Sequence, residues 1–186
     1  MTWERIFQLC PESPNQGFLI ALAPNQTLYR EARYEWLKSA YITIRNPLSL
    51  RQRSVEELKL LKQVHIIWEQ RWMYYFRGYF MLKNGTRTSI KTIFIDCQSI
   101  SPDSSFYLLR IAATSALLRK VTIRLAPQCR SSCNWGSYRA QKHEIIERIN
   151  EALGTSARIE HDATDDAEFL IWEAESNKVL IVKNRA

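Results

Sequence analysis

Apolar and polar positions alternate with two different periods along this chain, and the changes of period mark out its elements. Trp3 to Leu9 suits a short helix or strand, and Pro11, Pro14, Asn15 and Gly17 form a turn-rich link. Phe18 to Ala23 is an apolar run that predicts a buried strand closed by Pro24-Asn25. From Thr27 the spacing becomes helical: Tyr29, Ala32, Trp36, Leu37 and Ala40 share one face, with Arg30, Arg33 and Lys38 mostly off it. Tyr41 to Arg45 alternates and is β-branched, and Asn46-Pro47 ends it.

Ser54 and Glu57 form a capping box ahead of Val55, Leu58, Leu61, Val64 and Ile67 or Trp68, which predicts one long helix. Arg71–Leu82 and Thr88–Asp96 then predict a β-hairpin, because Asn84-Gly85 between them supplies the positive φ angles that a tight turn needs. Ser101-Pro102-Asp103 marks a helix start and leads through Leu108, Ile111, Ala112 and Ser115 to Leu118. Val121–Leu125 is a strand, and a loop with Cys129, Cys133 and Gly136 precedes a helix from about Ser137 to Leu153, stopped by Gly154. Ala157–His161, Glu168–Glu173 and Lys178–Lys183 are expected to be strands, the last two turning at Glu175-Ser176-Asn177.

This order implies an α+β (mixed) fold: a mixed, largely antiparallel sheet with about four packed helices. A chain of 186 residues suits one compact domain spanning 1–186, with a subdivision near 98–103 as the minor alternative. No run approaches the roughly 18 apolar residues that cross a bilayer, so no membrane partner is expected and the predicted location is cytoplasmic. Four scattered cysteines, Cys10, Cys97, Cys129 and Cys133, fit reduced thiols better than a disulfide scaffold.

Charge changes the picture most. The chain carries a formal +7, with 18 Lys and Arg against 9 Asp and Glu in residues 1–125, and 8 against 10 in residues 126–186. The first two thirds is therefore +9 and the last third −2, which suggests either a polyanion partner or segments of opposite sign meeting each other. Arginine outnumbers lysine 17 to 9, favouring planar contacts with phosphate or carboxylate.

The densest basic and aromatic stretch is Arg71 to Lys83, followed by Arg87 and Lys91. On a strand, Arg71, Met73, Tyr75, Arg77 and Tyr79 share one face, a surface able to stack bases and hold phosphates. Arg77-Gly78-Tyr79 resembles the opening of the RNA-recognition-motif signature, although Phe80 stands where that family has Gly or Ala and Met81 where it has an aromatic. Arg45, Arg51 and Arg53 surround Pro47 ahead of the capped helix, whose free N–H groups favour anions. The candidate nucleic-acid-binding set is thus Arg71, Arg77, Tyr79, Lys83, Arg87, Lys91, Arg45, Arg51 and Arg53. An aromatic-rich core strand and solvated loop charges are the structural alternatives for the same residues.

Catalytic signals are sparse. Cys129, Cys133 and His143 depart from zinc-ligand spacing, and His65, His143 and His161 lie outside nucleophile-elbow and zinc-protease patterns. Asp165 or Asp166 before a strand, followed by Val179 to Lys183, resembles the metal-binding hairpin of PD-(D/E)xK nucleases, but Ile181 occupies the position of the metal-holding carboxylate. The acidic run Asp162, Asp165, Asp166 and Glu168 suits a solvated loop. No catalytic residue, cofactor or metal is predicted. The expected function is a non-enzymatic regulatory or accessory protein that contacts DNA or RNA through its basic two thirds. A protein-protein assembly module, pairing with another protein or with itself, is the alternative, and an enzyme with dispersed catalytic residues or a degenerate nuclease-like domain is the second alternative.

Overall fold

A parallel core of four strands organises the molecule. The computed structural model describes residues 21–39, 41–44, 54–69, 87–131, 135–176 and 178–183. Along the chain these form α1 (Gln26–Ser39), β1 (Tyr41–Ile44), α2 (Val55–Leu60), β2 (Gln63–Trp68), β3 (Thr92–Cys97) and α3 (Asp103–Ala113). There follow β4 (Lys120–Leu125), α4 (Pro127–Ser131), α5 (Trp135–Leu153), β5 (Arg158–Asp162) and β6 (Ala167–Glu173). The six strands make one sheet in the order β1-β2-β3-β4-β6-β5. β1 to β4 are parallel neighbours, while β6 runs antiparallel to both β4 and β5. The α+β architecture with a mixed sheet is the expected one, but three of the five described pairings are parallel, where an antiparallel majority was expected. Strands joined through helices, as β3 and β4 are through α3, pair in parallel because the helix returns the chain to the same edge.

Side-chain alternation along the strands decides which face is packed. Val64, Ile66 and Trp68, Ile93, Ile95 and Cys97, and Val121, Ile123 and Leu125 are all fully buried. They form one core with Leu58 of α2, Leu108 and Ile111 of α3, and Ile145 and Ile149 of α5. The right-handed rule for parallel crossovers agrees, since β1-α2-β2 and β3-α3-β4 advance across the sheet in one direction and so place their helices on one face. The opposite face carries Gln63, His65, Phe94, Asp96, Lys120 and Arg124, which are only partly buried. His65 and Phe94 sit in register on neighbouring strands and their rings meet edge to face, 5.0 Å between centroids.

Caps fix the helix ends that matter for the edges of the sheet. The Ser54–Glu57 capping box is formed as expected, with the Ser54 hydroxyl accepting from the Glu57 N–H and the Glu57 carboxylate accepting from the Ser54 N–H. Gly154 ends α5 at φ 67°, a left-handed conformation that suits glycine, and donates its N–H to the Asn150 carbonyl. A Cβ there would also lie 2.9 Å from Lys183 Nζ. Asn150 Oδ1 accepts both the Trp172 indole N–H at 2.7 Å and the Ala157 N–H at 3.0 Å, which ties α5 to β6 and to the start of β5.

Several expected elements differ. Residues 21 and 22 are helical rather than extended, because a short apolar run has no period that separates helix from strand. The capped helix stops at Leu60, and Val64 to Trp68 belong to β2. Both edges of β3 are taken by β2 and β4, so Thr92–Cys97 is a central strand and not the second arm of a hairpin; Arg71–Leu82 lies outside the described residues. The helix predicted to reach Leu118 ends at Ala113. The expected loop at Cys129 contains the short α4. Lys178–Lys183 forms no strand and is held by isolated hydrogen bonds from the Leu180 N–H to the Leu118 carbonyl and from the Lys183 N–H to the Ala152 carbonyl.

Candidate functional site

Because β1 to β4 are parallel, the sheet has two chemically distinct ends, an amino edge where these strands begin and a carboxyl edge where they finish. The carboxyl edge is the customary place for a ligand in an α/β sheet, in the crevice where strand order reverses and neighbouring crossovers part to opposite faces. Here the four parallel strands follow chain order without reversal. Ion pairs fill the ends of the strands instead.

Two linked groups make up this network, one on each face. On the open face, Asp96 and Arg124 are register partners on β3 and β4, and the guanidinium donates to Asp96 Oδ1 at 2.7 Å and to Asp165 Oδ2 at 2.5 Å. Asp165, foremost, and Asp96 hold the Arg124 pKa above its ordinary value against the cost of burial. On the helix face, Glu168 is nearly buried opposite Leu125 and accepts from the Tyr138 hydroxyl at 3.0 Å and from Lys142 Nζ at 2.6 Å. Arg130 approaches Glu168 to 3.8 Å and donates to both carboxylate oxygens of Asp166. Burial alone would push the Glu168 carboxyl up, but Lys142, the Tyr138 hydroxyl and Arg130 together hold it below the usual carboxylate value. Burial and the nearby Glu168 charge push the Tyr138 hydroxyl well up. Asp165 and Asp166 sit on an exposed turn, as the solvated-loop reading expected, and are in addition ion-pair partners. Among the described residues, Arg124 alone brings a cation from the basic first two thirds to these acids; Arg130 and Lys142 belong to the last third itself.

At the amino edge the pattern reverses. Gln63, Thr92 and Lys120 are register partners, so the residues just before them, Lys62, Lys91 and Arg119, occupy one level on three adjacent strands. Backbone hydrogen bonds repeat along that level: Lys91 N–H to the Lys62 carbonyl at 2.6 Å, Arg119 N–H to the Lys91 carbonyl at 2.8 Å, and Ala174 N–H to the Arg119 carbonyl at 2.8 Å. Neighbouring backbones at such a level stand roughly 4.8 Å apart. Arg87, Lys91 and Arg119 are exposed and Lys62 is half-buried. Among the described residues none of these four has a carboxylate partner, and the nearby Lys120 is matched only by Glu173, at 3.8 Å. Like charges in register repel, so the row stands at a cost that an anion laid along it would remove.

Of the residues singled out in the sequence, Arg87 and Lys91 lie at this edge, Arg87 one residue before the Thr88–Ser115 bridge. Arg45, Arg51, Arg53, Arg71, Arg77, Tyr79 and Lys83 lie outside the described residues. Sequence reasoning missed Lys62, Arg119 and Lys120, although a basic residue just before or at the start of each of three parallel strands is a readable signal once the strands are known. It also missed Arg124, Arg130, Tyr138 and Lys142, whose partners are distant in sequence. Cys129 is buried and its thiol donates to the Cys97 carbonyl, while His143 is exposed on α5 and pairs with Glu147. Among the described residues, no cluster of three or more His, Cys, Asp or Glu could hold a metal ion, and no helix is long and apolar enough to cross a membrane. No protein-family model, curated protein or solved structure matches this chain.

Proposed function

We propose that this protein is a non-enzymatic nucleic-acid-binding protein with a regulatory or accessory role, and that the amino edge of its sheet contacts the phosphate backbone. The observation that carries this is the in-register row Lys62, Lys91 and Arg119, joined by Arg87, with no carboxylate partner among the described residues. Cations without acidic partners release condensed counterions when they neutralise phosphates, which supplies affinity without base specificity. The paired carboxyl edge supports the same reading from the other side, since its charges already satisfy one another and offer little to an anion.

The test is fluorescence anisotropy of the purified protein with labelled single-stranded DNA, duplex DNA and RNA at two salt concentrations. Saturable binding that weakens steeply with salt is expected, and its strongest probe separates DNA from RNA. Absence of binding to all three at low salt would refute the proposal.

A further inference from the structure

One backbone edge in the described structure is both exposed and self-complementary. β5 pairs with β6 on one side only and ends the sheet. Among the described residues, the hydrogen bonds of residues 158–162 to other strands all go to β6, which leaves the outer N–H and C=O groups of this strand without a strand partner there. Such edges pair readily with another strand unless something blunts them. Here Arg158 to His161 are all exposed, and Ile159 keeps 52% of its surface open to solvent. The strand is well anchored from within, through Asn150 to Ala157 and through the full register with β6.

The order of side chains along β5 decides what fits against it. Arg158 and Glu160 share one face and form an ion pair with each other, while Ile159 lies between them on the opposite face, in register with the buried Leu170. Suppose a second β5 is laid antiparallel on the outer edge about a two-fold axis at Ile159. Each Arg158 then stands opposite the Glu160 of the other copy, and the two Ile159 side chains meet. Every nearest charged neighbour in that four-residue square has the opposite sign. Moving the axis to Arg158 sets two arginines opposite each other, and moving it to Glu160 sets two glutamates opposite each other, both unfavourable. The charges therefore select one register of self-pairing, and an isologous interface requires this kind of self-complementarity.

We infer that β5 is a dimerisation edge whose partner is a second copy of this chain, paired antiparallel about Ile159 to continue the sheet from one subunit into the next. Five residues a side bury less than a standard interface, so the dimer is weak and exchanges with single subunits. This inference is independent of nucleic-acid binding and is tested without nucleic acid present.

Sedimentation equilibrium of the full chain, from about 5 µM to about 500 µM, should give a reversible dimer with Kd between about 10 µM and 1 mM. Glu160→Arg places like charges opposite each other at two symmetry-related positions and should weaken the dimer by about tenfold or more. The double swap Arg158→Glu with Glu160→Arg rebuilds the alternating square and should restore Kd to within about threefold of the parent. Ile159→Lys should abolish association. Circular dichroism and thermal melting of each variant verify that the fold is kept. A chain that does not self-associate at the highest concentration would overturn the inference, as would a dimer indifferent to Glu160→Arg and Ile159→Lys or a double swap that fails to rescue.

Discussion

At the carboxyl end of the sheet Arg124, Arg130 and Lys142 each face at least one carboxylate, whereas at the amino end Lys62, Arg87, Lys91 and Arg119 face none among the described residues. Both ends are rich in cations, so the number of cations does not distinguish them. What differs is where the chain supplies its acids: Asp165, Asp166 and Glu168 sit at the start of β6, which runs antiparallel to β4 and so begins at the carboxyl edge. One antiparallel strand brings three acids to one end and, among the described residues, only Glu173 to the other. The amino edge has a structural role available to it as well, because α3 and α5 end there and helix C-termini favour cations. Lys183 is an instance, its side chain lying over Gly154 at the end of α5. The two ends should therefore separate in experiments on stability and on binding.

The largest effect is expected at Glu168. Replacing it with Ala leaves Lys142 and Arg130 beside a desolvated gap and should cost about 2–4 kcal/mol, less than a fully buried pair because both cations retain some solvent contact. Urea denaturation monitored by tryptophan fluorescence would measure it, and a loss below about 0.5 kcal/mol would mean that the carboxyl edge is not held by these pairs.

Acidification should show the same network. The folded-state pKa of Glu168 is depressed, so its contribution is fully present above the ordinary carboxylate pKa of about 4.3 and is lost as pH falls through the lower folded value. The parent chain should therefore lose more stability below about pH 4 than Glu168→Gln does, as read from midpoints of urea unfolding across pH.

Smaller effects are expected from Asn150→Ala, which removes the shared acceptor of Trp172 and Ala157 and should cost about 1–3 kcal/mol. Ser54→Ala should cost about 1 kcal/mol through loss of the cap. Neutralising Lys91 or Arg119 singly should change stability by less than about 0.5 kcal/mol in either direction, since exposed charges contribute little. A loss well above that at the amino edge would assign the row a structural role and erase the contrast between the two ends.

Much of the fold was legible, and the misreadings have physical causes. The capping box at Ser54, the strand Val121–Leu125, the long helix before Gly154 and the strand Glu168–Glu173 all carry local signals strong enough to survive tertiary packing. Val64 to Trp68 misled because Leu58, Leu61, Val64 and Trp68 satisfy a helical period while Val64, Ile66 and Trp68 satisfy a period of two. Pairing with β1 and β3, which buries Val64, Ile66 and Trp68 on one face of the sheet, decides between them, and that is not local information. Likewise, Asn84-Gly85 is a turn signal, but it carries no information on which strands occupy the two edges of Thr92–Cys97. Arg87 and Lys91 stood out by composition, whereas Lys62 and Arg119 did not, because only the parallel register brings them level with Lys91.

The most direct test of the contrast is the salt dependence of nucleic-acid affinity for the parent chain, for the triple variant Lys62→Gln, Lys91→Gln, Arg119→Gln, and for Arg139→Gln on the exposed N-terminal half of α5. Binding through the amino edge predicts that the triple variant loses about 2 units of slope in log K against log salt on a single strand, with an unchanged fold, while Arg139→Gln keeps the parent slope within about 0.3, well under the ~0.7 of one phosphate contact. Equal slopes for the parent and the triple variant would contradict the assignment of the amino edge as the binding surface.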